Sequence, residues 1–248
     1  MQTYSYVLKP ADPPRLGLIV LQTDERIEPD FRRLLPVGTD LFVSRVPSGL
    51  DVTPETLQAM HDHIPASAAL LPQVKPFDVV GYGCTSGSAQ IGPANVARQV
   101  RAGTAAQAVT EPVSALVAAC RALGVNRVAF LSPYVEAVSD RLREVLAGQG
   151  VTSPVFGTFA EAEEAKVSRI DPISTRAAAL NLLAQGGVDA LFLSCTNLDT
   201  LDIITGLEAD SGLPVLSSNL VLAWHMARLA GVGQGQCLAD TRLGRTCP

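Results

Sequence analysis

Short runs of leucine and β-branched residues alternate along the chain with longer stretches whose apolar residues recur at helical spacing. Leu16–Leu21 (LGLIVL), Leu41–Val46 and Phe77–Gly83 (FDVVGYG) read as strands, and the third runs directly into Cys84. Between them, Glu28–Leu35 and Pro54–Leu71 read as helical. Glu111–Leu123 has helical spacing and meets Gly124, a residue suited to end a helix. Val125–Ser132, Val188–Ser194 and Leu213–Ser217 predict further strands. Alternation of this kind predicts an α/β protein with mainly parallel sheets.

The pattern then repeats. Arg15–Leu18 resembles Arg127–Phe130 at an offset of 112 residues, and Asp30–Arg33 resembles Asp140–Arg143 at an offset of 110. Cys84-Thr85-Ser86 and Cys195-Thr196-Asn197 close two predicted strands 111 residues apart. Ser114–Gly124 is echoed by Asn219–Gly231 at a similar distance. Four blocks in one order at a near-constant offset predict two pseudo-symmetric halves, residues 1–105 and 106–248, that meet near Thr104–Glu111. The final helix is free to pack on the first half, and a loosely ordered tail is expected from about residue 232.

Open α/β sheets bind ligands outside the carboxyl ends of their strands, where both cysteine triplets fall. Each is expected to precede a helix start, whose backbone N–H groups can hold a carboxylate and favour a thiolate. Duplication then faces Cys84 and Cys195 across one cleft. Two such groups flanking one carbon can remove a proton from one side and return it from the other. Cys120 lies on an apolar helical face and reads as core, and Cys237 and Cys247 lie in the tail without duplicates.

Composition narrows the alternatives. The 248 residues are 47% hydrophobic, enough for a sizeable core. A net charge of −5 without a lysine- or arginine-rich run argues against nucleic acid. No apolar stretch approaches membrane-span length and the N-terminus lacks a signal-peptide pattern, so a cytoplasmic location is expected. Five cysteines and three scattered histidines offer neither a disulfide framework nor zinc spacing, and no metal is expected. The glycines around Gly81–Gly92 form no phosphate-binding motif. His225 reads as a structural histidine, and Arg169 and Asp171 as an ordinary surface pair.

On Leu131–Tyr134 (LSPY), Leu193–Thr200 (LSCTNLDT) and Leu213–Asn219 (LPVLSSN), the chain resembles the aspartate/glutamate racemase superfamily, in particular its maleate isomerase and arylmalonate decarboxylase branch. Two further segments, GLIVLQTDERIEPDFRRLL and YGCTSGSAQIG, are similar to racemase-like proteins associated with ectoine utilisation. The resemblance runs from Leu16 to about Gly231. It implies two Rossmann-like halves with the active site between them, no cofactor, catalytic roles for Cys84 and Cys195, and the possibility of a homo-oligomer. It also implies that Thr85, Ser86, Tyr134 and Thr196 hold substrate carboxylate oxygens. Asn197, Gln22 and Asp24 complete the candidate set. Decarboxylases of the branch keep only the second cysteine, so the full pair points to an isomerase acting on a small carboxylate or amino acid. A racemase or epimerase is the leading expectation. The alternatives are a maleate-type cis–trans isomerase with a Cys84 adduct and a non-catalytic ligand-binding relative. Maleate isomerases carry asparagine where this chain has Asp24. A carboxylate there either points away from the substrate, serving as a helix cap, or pairs with a substrate amino group.

Overall fold

The computed structural model describes residues 1–8 and 13–246. Two four-stranded parallel sheets form its frame. The first comprises β1 (Arg15–Leu21), β2 (Asp40–Val46), β3 (Phe77–Gly83) and β4 (Ala106–Thr110), in the order β2-β1-β3-β4. In the second, β5 (Arg127–Tyr134), β6 (Thr152–Glu161), β7 (Ala190–Leu193) and β8 (Val215–Ser217) take the order β6-β5-β7-β8. Matching each strand to the one four places later superimposes the two orders, which is the pseudo-symmetry expected from the repeated blocks.

Apolar runs decide which strands the hydrophobic pattern reveals, whether the strand is interior or, like β2 with its Leu41-Phe42-Val43 run, at a sheet edge. β1, β3 and β7 are interior strands with continuous apolar runs, as buried parallel strands require. β4 (AQAVT) and β6 (TSPVFGTFAE) lie at sheet edges and are mostly half-exposed. Neither carries an apolar run, and neither was marked as a strand by pattern. Because β4 pairs with β3, the first sheet ends at Thr110.

Helices cover both sheets. α1 (Ile27–Leu34) and α2 (Pro54–Ala69) follow the first two strands, and α2 opens with a Thr53–Thr56 capping box and proline in its first turn. α3 (Thr85–Ile91) and α4 (Pro93–Gly103) separate β3 from β4. α5 (Pro112–Leu123) is capped by the buried carboxylate of Glu111 and ends at Gly124 with φ 69°, the left-handed turn that glycine adopts without a Cβ clash. In the second half come α6 (Glu136–Gly148), α7 (Glu164–Val167), α8 (Pro172–Leu183) and α9 (Ile204–Ser211).

α10 (Ser218–Ala230) leaves the second sheet and packs against β3, β4 and α1 of the first half, and against α5. It approaches β3 so closely that a Cβ on Gly81 would lie 2.4 Å from Met226 Sδ. Glycine there lets helix and strand touch. The segment expected to be loosely ordered is packed instead: α11 (Gln236–Ala239) contacts α1, and Leu238 and Leu243 are fully buried. Two leucines removed from water bring about 1.5–3 kcal/mol each, enough to hold a short tail in place. Cys247 lies outside the described residues. Among them, no helix is long and apolar enough to cross a membrane.

Candidate active site between the halves

β3 delivers Cys84 and β7 delivers Cys195 to one buried region, each thiol-bearing residue 4% exposed. Two polar links join their backbones. Thr85 Oγ1 donates to Ser218 Oγ at 2.7 Å, and the same oxygen accepts the Cys195 N–H at 3.0 Å. Thr196 Oγ1 reaches the Gly83 carbonyl oxygen at 3.4 Å. Each triplet is thereby anchored to the other, and Ser218, at the start of α10, ties the two together.

The local geometry of the two cysteines differs. Cys84 caps α3, its Sγ accepting the Gly87 N–H at 3.2 Å. A Cβ on Gly87 would stand 2.8 Å from that sulfur, so glycine keeps the space around it free. No helix follows Cys195. The chain turns instead, with φ 113° at Cys195, and the Asn197 N–H donates to its Sγ at 3.2 Å. The helix start expected after the second cysteine is therefore corrected to a tight turn. A non-glycine residue in the left-handed region costs on the order of 1–3 kcal/mol, which the surrounding bonds must offset.

Tyr134, at the end of β5, faces Cys195. Its hydroxyl lies 2.9 Å from Cys195 Sγ and donates to Glu164 Oε1 at 2.7 Å. Asn197 Nδ2 donates to Glu164 Oε2 at 3.0 Å, and Asn197 Oδ1 accepts the Glu25 N–H at 2.9 Å. Glu164 is 3% exposed. Sequence reasoning missed it because it sits in the charged run EAEEAKV, which reads as a solvated surface. Its one signal is position, in the connection after the carboxyl end of β6, and β6 itself was not recognised.

Asp24 lies 2% exposed in the loop after β1. Its Oδ1 accepts the N–H groups of Arg26 and Ile27, both at 2.8 Å, closing the chain into α1, while Oδ2 is buried without a hydrogen bond. Helix capping and nearness to the thiols thus coexist in one residue. Thr85, Ser86, Thr196 and Asn197 are all buried in this region. Gln22 is not brought in: it is exposed, and its backbone pairs with Val46.

The electrostatics oppose free thiolates. Burial pushes the Cys84 thiol up to about 12, Glu164 and Asp24 add to the rise, and the Gly87 N–H offsets part of it. Burial also raises Cys195 strongly, with Glu164 next, against the lowering pull of the Tyr134 hydroxyl and the Asn197 N–H. The thiolate-favouring environment expected from helix ends is outweighed by desolvation and two nearby carboxyls. Asp24 and Glu164 are themselves raised, first by burial.

The remaining candidates fall outside this cluster. Cys120 is buried in the core on α5. His225 Nδ1 pairs with Thr110 Oγ1 at 2.8 Å and its ring stacks on Trp224. Arg169 pairs with Glu25 at 3.0 Å rather than with Asp171, whose carboxylate instead caps α8.

A family model described as arylmalonate decarboxylase matches residues 16–243. An arylmalonate decarboxylase from Bordetella bronchiseptica is 32% identical over 234 residues, covering 91% of this chain and 94% of that one. A maleate isomerase from Nocardia farcinica (strain IFM 10152) is 28% identical over 226 residues, covering 86% and 89%. Among solved structures, a Nocardia farcinica maleate cis-trans isomerase variant with a covalently bound succinylcysteine intermediate has a TM-score of 0.77 at 24% identity, covering 92% of this chain and 98% of that one.

Proposed function

Since the chain belongs to the arylmalonate decarboxylase family, within the maleate isomerase and arylmalonate decarboxylase branch of the aspartate/glutamate racemase superfamily, we propose that it is a cofactor-independent racemase or epimerase acting beside the carboxylate of a small molecule. The observation that carries this reading is the mutual anchoring of the two cysteine triplets through Ser218 and the Thr196–Gly83 contact. In it, one cysteine as thiolate takes the α-proton while the other, as thiol, delivers a proton to the opposite face. The N–H groups of Thr85 and Ser86 and the Ser86 hydroxyl hold the carboxylate and stabilise the enediolate that develops, while Tyr134 lines the pocket beside Cys195. Thr196 and Asn197 complete the pocket from the second half.

Asp24 and Glu164 bear on the substrate. A dicarboxylate would add like charge to two buried carboxyls, which is unfavourable in a poorly solvated site. A cationic nitrogen would instead supply a counter-charge and make thiolate formation easier. An amino acid, or an ectoine-derived acid that carries such a nitrogen, fits this setting better than maleate. The same reading places the protein in the cytoplasm, working on a free small molecule.

A second reading follows from the succinylcysteine found in the solved relative: Cys84 adds to the double bond of a maleate-like diacid and releases it after rotation. Deuterium oxide separates the two. Racemisation places deuterium at the α-carbon of recovered substrate, and Cys84→Ala and Cys195→Ala each lower that exchange by about 1,000-fold or more. Full turnover without incorporation would transfer the assignment to the addition mechanism. No turnover by the native protein, with ligand binding kept in both variants, would leave only a ligand-binding relative.

A further inference from the structure

Cys195, Tyr134 and Glu164 form a continuous chain of hydrogen-bonding groups. Cys195 Sγ lies 2.9 Å from Tyr134 Oη, which lies 2.7 Å from Glu164 Oε1. A phenol has one proton, and the carboxylate is the stronger acceptor. With the Tyr134 proton directed to Glu164, the phenolic oxygen is left to accept the Cys195 S–H. Asn197 grips both ends, its N–H on Sγ at 3.2 Å and its Nδ2 on Glu164 Oε2 at 3.0 Å. All four residues are at most 4% exposed, so bulk water does not compete for these protons.

We propose that Glu164 is the proton acceptor that generates the Cys195 thiolate, through Tyr134. The inference rests on the proton-exchange reading of the cysteine pair. In the forward step the Cys195 S–H bond breaks and its proton bonds to Tyr134 Oη. The proton already on Oη moves to Glu164 Oε1, and the sulfur keeps the electron pair. Tyr134 is neutral before and after. The reverse step restores the thiol once the sulfur has delivered a proton to substrate. Net charge in the buried site does not change, which avoids the cost of ionising a thiol towards solvent. Burial raises Glu164 above an ordinary carboxyl, which makes it a better proton acceptor than an exposed glutamate.

A bystander role and the relay predict opposite signs. As a mere neighbouring negative charge, Glu164 disfavours the thiolate, so Glu164→Gln would make Cys195 more reactive. As a proton acceptor, its loss makes Cys195 less reactive. The test is the rate of iodoacetamide alkylation of Cys195 at pH 7, followed by peptide mass spectrometry in full-length Cys84→Ala protein. The expected result is a fall of roughly tenfold or more in Glu164→Gln and in Tyr134→Phe, with no further fall when both are combined. Glu164→Asp, which keeps a carboxylate, recovers part of the rate. A faster Cys195 in Glu164→Gln, or additive losses in the double variant, overturns the relay. Should a variant not fold, the infrared S–H band of Cys195, isolated by difference from Cys84→Ala/Cys195→Ala protein, is read in Glu164→Asp. The relay predicts a band at higher frequency than in the Glu164 protein, because the shorter carboxylate loosens the Tyr134 contact that leaves Oη free to accept the S–H, and an unchanged band overturns it. Neither measurement uses substrate. Absent deuterium exchange with the expected alkylation pattern therefore counts against the racemase reading alone.

Discussion

Cys195 holds its φ of 113° because each group around it is tied down: its N–H by Ser218 Oγ, its sulfur by the Asn197 N–H and the Tyr134 hydroxyl. A buried non-glycine residue in that region does not persist without such ties. Ser218 is therefore a junction rather than a passive neighbour, since Thr85 leans on the same oxygen. Ser218→Ala leaves the Cys195 N–H buried without its acceptor and frees Thr85. The expected cost is about 1–3 kcal/mol of stability. A drop in turnover of more than about tenfold is expected with it, as both triplets lose their register. Urea unfolding and deuterium exchange on the same preparation check both effects, and Ser218→Thr, which keeps the hydroxyl, should be milder.

At the scale of elements, α1 and α10 come from opposite halves and meet through charge chemistry. Asn219 Nδ2, in the first turn of α10, donates both to Asp30 Oδ2 on α1 and to the Thr196 carbonyl oxygen, each at 2.8 Å. Burial is the main cause that lifts the Asp30 carboxyl to about 7, with Asn219 pulling it back and Asp199 and Asp24 adding to the rise. In the unfolded chain an aspartate titrates near 3.9. Between those values the folded state binds the proton that the unfolded state has released, so stability is greatest below about 4 and falls as the pH rises towards 7. The loss from this one group is on the order of 4 kcal/mol at most. Raised Asp24, Glu111, Glu164 and Glu208 act in the same direction. Thermal melts at pH 5 and pH 8 should show the native protein more stable at pH 5. Asp30→Asn should narrow that difference and gain stability at pH 8, since a neutral amide can still accept from Asn219.

The molecule as a whole is stitched across its cleft. Arg26 pairs with Asp199 at 3.1 Å, Arg33 with Asp202 at 2.5 Å and Arg169 with Glu25 at 3.0 Å. Backbone bonds from Val52 to Ala162 and from Glu164 to Leu50 join loops of the two halves. Exposed ion pairs of this kind are worth about 0–1 kcal/mol each and open at little cost. α10, by contrast, is a permanent bond between the halves, with Met226 seated against Gly81. Residues 13–111 expressed alone would lack that cover over β3 and β4. They should give no cooperative unfolding transition by calorimetry, whereas the full chain should.

Much of this was legible in the residue pattern. Interior strands announce themselves because burial on both faces demands unbroken apolar runs, so β1, β3 and β7 were readable to within about two residues at each end. The repeat at an offset near 111 carried the two-sheet plan, and the duplicated Cys-Thr pairs marked where the halves meet. β4 and β6 stayed hidden because polar residues, glycine and proline interrupt them, whereas the edge strands β2 and β8 keep short apolar runs that could be read. With β6 went the location of Glu164, whose charged surroundings in sequence resemble a surface and whose side chain is nevertheless buried. The position of Glu164 relative to Cys195, 31 residues apart along the chain, depends on how β6, β5 and β7 are ordered within the second sheet. The strength of desolvation is likewise a property of everything packed around a group. The chain alone therefore determined the strands, the duplication and the cysteine pair. Only the tertiary structure decided that the pair sits among buried carboxyls, with both thiols held in their protonated form.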